Sequence, residues 1–218
     1  MVVGAVVPDA GILARALTAA APVAVMAAWA LVRGGRTSVW TAMAAVLGSL
    51  GIASLLTGQV RAGEQPPAWV GVLLGVGAGV ALYLATAVFL SLARGWRTLG
   101  RHAAELYTRR GDLSVTAAVV VAAGISAGGE ELLWRGVVLG VAVGAFGDVA
   151  GAVLAWGLYV VANTVSGSVA ILLAAVVGGA VWTALALWTG GVAASVACHA
   201  VWTALMIALP PLPSEERA

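Results

Sequence analysis

The stretch SAGGEELLWRGV, residues 126–137, places three charged side chains between long apolar runs. An apolar run at 113–129 precedes Glu130 and Glu131. A second apolar run, 132–146, begins directly after them and includes Arg135. A charged side chain at the centre of a membrane-spanning helix costs about 2.5–3.5 kcal/mol on insertion scales, so it needs a partner or a water-filled cavity. The stretch therefore predicts a membrane helix whose charges have a defined role.

The composition of the whole chain agrees with a membrane protein. Of 218 residues, 62% are hydrophobic and 9% are charged, whereas a soluble domain carries about 25% charged residues. We expect an all-α, polytopic membrane helix bundle. A single cysteine, Cys198, excludes an intrachain disulfide and a cysteine-based metal cage. The net charge of +2 is small and divided among loops, so no nucleic-acid partner is expected.

The number of spans depends on one glycine pair. About 20 apolar residues cross the hydrocarbon core of a bilayer. Segments 113–129 and 132–146 form either one long helix or two helices broken at Gly128-Gly129, which predicts seven or eight transmembrane helices. The apolar segments are 11–32, 39–60, 69–93, 113–129, 132–146, 149–165, 168–188 and 190–209.

We expect residues 1–218 to form one membrane domain. Three N-terminal spans occupy 11–93, a basic loop 94–112, and a core with the polar residues 113–209. The chain begins without the basic n-region of a signal peptide, so the first span is expected to be retained. Residues 210–218 are expected to stop the last helix and form a short polar tail.

Arginine placement predicts the orientation. Loop 94–112 carries five arginines and loop 33–38 carries two, whereas loop 61–68 carries one. The positive-inside rule therefore makes loop 94–112 cytoplasmic and places the N-terminus with Asp9 outside, in a bacterial-type cytoplasmic membrane. The middle of loop 94–112 is amphipathic and predicts a short interfacial helix.

Glycines at 71, 75 and 79 repeat a G-x-x-x-G spacing on the third span. This pattern is typical of close helix packing. A dimer interface is the alternative, and the sequence leaves the oligomeric state open.

The spacing of the charged residues assigns them different partners. Glu131 and Arg135 are four residues apart with the glutamate first, which favours an ion pair on a helix. Glu130 projects about 100° away and is left as the candidate for chemistry. Alternatively, the cluster marks a helix start at the membrane surface, where acidic residues are stabilised.

Further polar residues follow at helical spacing in the later spans. Tyr159 and Asn163 are four residues apart, as are His199 and Thr203. His199 lies in an apolar span, where it is either a core residue with its hydrogen bonds satisfied or a catalytic one. Cys198 does not form a Cys–His pair with His199, because adjacent helix residues do not face each other.

Taken together, these residues resemble the CPBP (Abi) family of intramembrane proteases, which includes the type II CAAX prenyl endopeptidases. The family pattern is EExxxR, then aromatic-xxx-His, then His-xxx-Asn/Asp, each on a membrane helix. Glu130 to Arg135 match the first motif fully, and His199 begins the third. Asn163 stands where the second motif has histidine, and Thr203 where the third has Asn or Asp. The resemblance covers roughly residues 113–209.

The resemblance implies peptide hydrolysis within the bilayer, with a membrane-anchored peptide or protein as substrate. Glu130 would be the general base on a water, while Arg135 holds Glu131. His199 and Thr203 would stabilise the oxyanion, and Asn163, beside Tyr159, would orient the water. No cofactor is implied, and a zinc site is not expected because an amide is a poor ligand for a transition metal.

Three hypotheses follow from the sequence. The first is an intramembrane endopeptidase that uses a glutamate-activated water. The second is a catalytically weakened or inactive protein of the same family that binds a membrane partner, which the residue Asn163 favours. The third is a small transporter, which an inverted repeat or helices broken in both halves would favour.

Overall fold

The computed structural model describes residues 8–63, 66–108 and 113–211, and within these ranges every regular element is a helix. The end of the basic loop at 109–112 and the polar tail at 212–218 lie outside the described residues, as does the side chain of Asp9. The eight helices are α1 (Pro8–Arg33), α2 (Val39–Leu56), α3 (Ala68–Leu92), α4 (Arg97–Thr108), α5 (Val115–Phe146), α6 (Asp148–Thr164), α7 (Val169–Thr189) and α8 (Ala193–Ala208).

Seven of these helices are apolar, which confirms the polytopic helix bundle. Helices α1, α2, α3, α5 and α7 are long and apolar enough to cross a membrane, whereas α6 and α8 are apolar but shorter. Helix α5 runs for 32 residues without a break. The two apolar segments at 113–129 and 132–146 are therefore one helix, and Gly128-Gly129 does not interrupt it.

Helix α5 changes its hydrogen-bond pattern on both sides of the glutamates. Val120–Ser126 and Leu132–Val138 are π-helical, and the short segment Ala127–Glu131 between them is α-helical. At the ends of the two π segments, each backbone N–H donates to the carbonyl five residues earlier. Single π turns inside α-helices are rare and frequent at functional sites. The glutamates lie between two such segments.

Helix α5 lies at the centre of the bundle, where it packs against α1, α2, α6 and α8. Close contact with α2 depends on glycine, because a Cβ atom on Gly129 would collide with the backbone of Leu47. The glycines at 71, 75 and 79 bring α3 against α8, where a Cβ atom on Gly75 would collide with Ala194. The G-x-x-x-G stripe is therefore used for close packing within the chain.

The predicted amphipathic helix in the basic loop is present as α4. Leu99 and Ala103 are buried, and α4 packs against α7. The imidazole Nδ1 of His102 accepts a hydrogen bond of 3.0 Å from the backbone N–H of Val169, the first residue of α7. The position of α4 at a membrane interface stays a prediction.

The loops assemble at two ends of the bundle. At one end, Arg33 Nη1 donates to the carbonyl of Val165 over 3.3 Å, so the end of α1 meets the α6–α7 turn next to α4. At the other end, the carbonyls of Arg61 and Ala62 accept from the backbone N–H groups of Val192 and Ala193. Loop 33–38 and helix α4 of the basic loop thus lie at the same end, and its cytoplasmic location stays a prediction.

Candidate active site

Glu131 is a fully buried carboxylate with two partners on one oxygen. Its Oε1 accepts from Arg135 Nη1 over 3.1 Å, the ion pair that the four-residue spacing predicts. The same Oε1 lies 2.9 Å from His199 Nδ1 on α8. An ionised carboxylate only accepts hydrogen bonds, so Nδ1 carries the proton in this contact. Glu131 therefore fixes both the arginine and the orientation of the imidazole ring.

Arg135 connects three helices around this carboxylate. Its second nitrogen, Nη2, donates to the backbone carbonyl of Gly179 on α7 over 3.0 Å. The guanidinium lies 4.6 Å from the ring centroid of Tyr159 and 5.5 Å from that of Trp182. These contacts offset part of the free energy needed to bury the cation. Arg135 is a structural cation whose hydrogen bonds hold α5 to α7.

Glu130 faces the other nitrogen of the same histidine. Its Oε2 lies 3.9 Å from His199 Nε2, and its side chain keeps 13% of its surface exposed. This separation is beyond hydrogen-bond distance. The Tyr159 side chain also interacts with the Glu130 carboxylate. Glu130 and His199 thus form a facing pair without a direct hydrogen bond between them.

The position of the glutamates along α5 excludes the helix-start interpretation. The helix begins at Val115, which is about four turns before Glu130. Glu131 is completely buried in the bundle. The cluster therefore lies inside the helix bundle, where ionisable residues are expensive and usually functional.

An aromatic ring fixes the imidazole from one side. The rings of His199 and Trp182 stack with their centroids 3.6 Å apart and an angle of 14° between the planes. Trp202 packs at an angle to the same imidazole, with centroids 6.3 Å apart. Because stacking, the Glu131 hydrogen bond and burial all act on one ring, His199 has little freedom to turn.

Sequence reasoning missed Trp182, although its position carried a signal. Tryptophans usually mark the membrane–water interface, but Trp182 and Trp134 lie well inside their spans and are buried. The Nε1 atoms of both are buried and have no hydrogen-bond partner among the described residues. Tyr159 packs edge-on against both indoles. Tryptophans far from the ends of a predicted span are therefore a sequence signal for aromatic side chains packed around the charged residues.

In the part of the chain that the structure describes, two predicted site residues form no hydrogen bond to the side chains of the cluster. Asn163 Oδ1 accepts from the indole N–H of Trp29 over 3.0 Å, and its Nδ2 donates to the backbone carbonyl of Tyr159 over 3.0 Å. The bond with Trp29 joins α6 to α1, whereas the bond with Tyr159 lies within α6. Thr203 is half-buried one turn beyond His199. Of the seven predicted residues, the structure brings together Glu130, Glu131, Arg135, Tyr159 and His199.

The arrangement does not fit a metal ion. Among the described residues, no group of three or more histidine, cysteine, aspartate or glutamate side chains could hold one. The Oε1 atom of Glu131 is already occupied by Arg135 and His199. Glu130, His199 Nε2 and the second oxygen of Glu131 remain, and among the described residues they do not converge as a group that could hold a metal.

The cluster is also distinct from the cavity found in the bundle. A cavity of about 250 Å³ lies at the end that carries α4, lined by residues of α1, α4, the α6–α7 turn and α7. None of the cluster residues lines it. We assign the candidate chemistry to the cluster because it holds the facing carboxylate and imidazole.

Comparison with known proteins supports the resemblance. Residues 111–205 match the family model described as type II CAAX prenyl endopeptidase Rce1-like. This segment is less than half of the chain, and it contains the complete cluster and nearly all of α5 to α8. The match confirms the resemblance of this segment to the family, which the first motif and the two partial motifs indicated. No curated protein and no solved structure matches the chain significantly.

Proposed function

We propose that the protein is an intramembrane endopeptidase that hydrolyses a peptide bond in a membrane-anchored peptide or protein. The observation that carries this proposal is the facing pair, with Glu130 Oε2 lying 3.9 Å from His199 Nε2 inside a helix bundle. The family match at residues 111–205 supports a protease.

In this mechanism Glu130 is the general base. Its carboxylate takes a proton from a water molecule, whose oxygen attacks the carbonyl carbon of the scissile peptide bond. The carbonyl oxygen then carries the negative charge of a tetrahedral intermediate. The carbon–nitrogen bond breaks as Glu130 returns the proton to the leaving amine. Glu130 suits this role because it is the carboxylate of the cluster that no cation holds at hydrogen-bond distance.

His199 stabilises the oxyanion in this proposal. Nδ1 is held by Glu131, which leaves Nε2 facing the reacting group. As an N–H donor at Nε2, the ring would hydrogen-bond to the developing oxyanion. A donor aimed at a developing oxyanion is worth about 10²–10³ in rate. Glu131, Arg135 and Trp182 act as positioning residues.

The experiment is cleavage of membrane-tethered peptide reporters by purified full-length protein in lipid. The reporters include prenylated and unprenylated peptides, so that the need for a prenyl group is read in the same assay. We expect wild-type cleavage, and we expect Glu130→Gln to lower the rate by about 10²–10⁴-fold because it removes the general base. The matched control is Asp148→Asn, which removes an exposed carboxylate at the start of α6 and should leave the rate unchanged.

A weakened or inactive protein that binds a membrane partner is the second candidate. It is favoured by Asn163, which occupies the second-motif position and whose amide is hydrogen-bonded to Trp29 and Tyr159. An amide cannot exchange a proton with the reacting group.

The second candidate makes its own prediction. If the missing imidazole limits the rate, Asn163→His should raise cleavage of the best reporter above that of wild type. Silence of wild type, Asn163→His and Glu130→Gln with every reporter would instead support the binding protein.

The helix break that would favour the transporter hypothesis is not present at Gly128-Gly129. This pair was the one candidate break, and α5 continues through both glycines.

A further inference from the structure

The cavity of about 250 Å³ lies at the end of the bundle that carries the arginine-rich loop. Its size is just below that of typical small-molecule sites, which suits a headgroup-sized ligand. The lining is mostly polar, and it consists of Arg33, His102, Glu105, Leu106, Ser166, Gly167, Ser168 and Ile171. The character of these polar groups decides what the cavity can bind.

Both serine hydroxyl groups in the lining have a hydrogen that they can donate. Ser166 Oγ accepts from the backbone N–H of Ser168 over 3.3 Å. Ser168 Oγ accepts from the backbone N–H of Ile171 over 3.4 Å, which caps the start of α7. In both contacts the hydroxyl oxygen is the acceptor, so each hydroxyl hydrogen remains available. Both serines can therefore donate a hydrogen bond to a ligand.

The two basic residues also present donors. Arg33 uses Nη1 in one contact of 3.3 Å with the carbonyl of Val165, and a guanidinium has five N–H donors in all. His102 Nδ1 accepts from the backbone N–H of Val169. A neutral imidazole that accepts at Nδ1 carries its proton on Nε2. His102 can therefore donate a hydrogen bond from Nε2.

One carboxylate belongs to the lining, and it is already paired. Glu105 Oε1 lies 3.2 Å from Arg101 Nη1 on the same helix. Donors therefore dominate the polar lining, and α4, which supplies His102 to the cavity, also carries Arg97 and Arg101. Leu106 and Ile171 add an apolar wall.

We propose that this cavity binds a phosphate group, presented either by the headgroup of a phospholipid or by a free phosphate anion. Guanidinium, imidazole and hydroxyl donors are the groups that recognise phosphate oxygens. Basic pockets between membrane helices bind anionic headgroups by the same chemistry. The site is separate from the Glu130 cluster and does not depend on the proposed protease activity.

The test uses purified full-length protein in a phosphate-free maltoside detergent, with binding measured by native mass spectrometry. One arm adds a short-chain phosphatidic acid, and a second adds inorganic phosphate. The variant is Arg33→Gln, and its matched control is Arg36→Gln, which removes the same charge three residues away from an exposed position outside the cavity. If Arg33→Gln does not fold, as judged by circular dichroism, His102→Gln takes its place.

We expect the wild type to retain one molecule of the phosphatidic acid. Arg33→Gln should raise the Kd for the lipid by about tenfold or more, since a hydrogen bond to a charged group is lost. The Kd of Arg36→Gln should stay within about twofold of the wild-type value. Displacement of the lipid by inorganic phosphate would identify a free anion as the ligand, and failure to displace it would identify the lipid. The proposal is overturned if the wild type binds neither probe, or if the two arginine variants weaken binding equally.

Discussion

Glu130 and Glu131 are adjacent in sequence but have different surroundings in the bundle. Glu131 is held by Arg135 and His199 at hydrogen-bond distance, whereas Glu130 faces His199 without a hydrogen bond to it. We infer that Glu131 contributes mainly to the free energy of folding, and that Glu130 is available for chemistry. The two residues should therefore respond differently to the same substitution.

Two arginine–glutamate pairs in the described part of the chain provide a test of burial at the residue scale. Arg135→Gln leaves Glu131 as a buried charge without its cation, so we expect a loss of about 3–5 kcal/mol in the free energy of unfolding. Arg101→Gln breaks a pair with the same four-residue spacing, but its side chains are 63% and 45% exposed. We expect about 0–1 kcal/mol for that pair. Equal losses in unfolding experiments on the two variants would contradict the structural role of Arg135.

Part of this site could be predicted from the sequence, and the reason lies in local spacing. The Glu131–Arg135 pair and the different direction of Glu130 both follow from helix geometry within a few residues. The contact of His199 Nδ1 with Glu131, and the stacking of His199 on Trp182, join helices far apart in the chain. Such contacts depend on how α5, α7 and α8 pack, which residue spacing along one helix does not determine.

Helix α5 shows, for a whole element, the same difference between what local sequence predicts and what helix packing determines. Its apolar flanks predicted a membrane helix, but Gly128-Gly129 was compatible with a break or with a continuous helix, because glycine tolerates both. Tertiary packing decides between them. Gly129 allows the close approach of α2 at Leu47, and the helix stays continuous. The sequence analysis used no feature that predicts the two π-helical segments on either side of the glutamates.

The glycine stripe of α3 gives a prediction for a whole element. Gly75→Ala should destabilise the protein by about 1–3 kcal/mol through overpacking, because its Cβ atom would collide with the backbone of Ala194 on α8. Gly77→Ala on the same helix has open space around its Cβ position. It should leave the thermal midpoint in detergent unchanged or raise it. If the thermal midpoints of both variants are lowered equally relative to wild type, the stripe does not pack α3 on α8 in the way described.

At the scale of the whole molecule, the order of the predicted spans places loops 33–38 and 94–112 on the same side of the membrane. The structure brings the end of α1, the helix α4 and the α6–α7 turn together at one end. The neighbours of each helix could not be predicted in this way. Helix α3 follows α2 in the chain, yet its glycine stripe packs on α8, because small residues on α3 permit a closer approach there.

The orientation in the membrane is testable because the chain has one cysteine. Cys198 is buried and can be replaced by alanine, after which single cysteines are introduced by Arg36→Cys and Ala62→Cys. Both positions are exposed, and they lie at opposite ends of the bundle. We expect a membrane-impermeant maleimide to label Ala62→Cys in intact cells and Arg36→Cys after the cells are opened. The reverse pattern would show that the arginine-rich end faces outward.

The central claim, that Glu130 performs chemistry while Glu131 maintains the structure, is tested most directly by comparing Glu130→Gln with Glu131→Gln. For each variant, the cleavage rate of a tethered reporter and the thermal midpoint are measured on the same preparation in lipid. We predict that Glu130→Gln abolishes cleavage without lowering the midpoint, and that Glu131→Gln lowers the midpoint because Arg135 and His199 lose their shared partner. Undiminished cleavage by Glu130→Gln, or a midpoint lowered as much by Glu130→Gln as by Glu131→Gln, would contradict the claim.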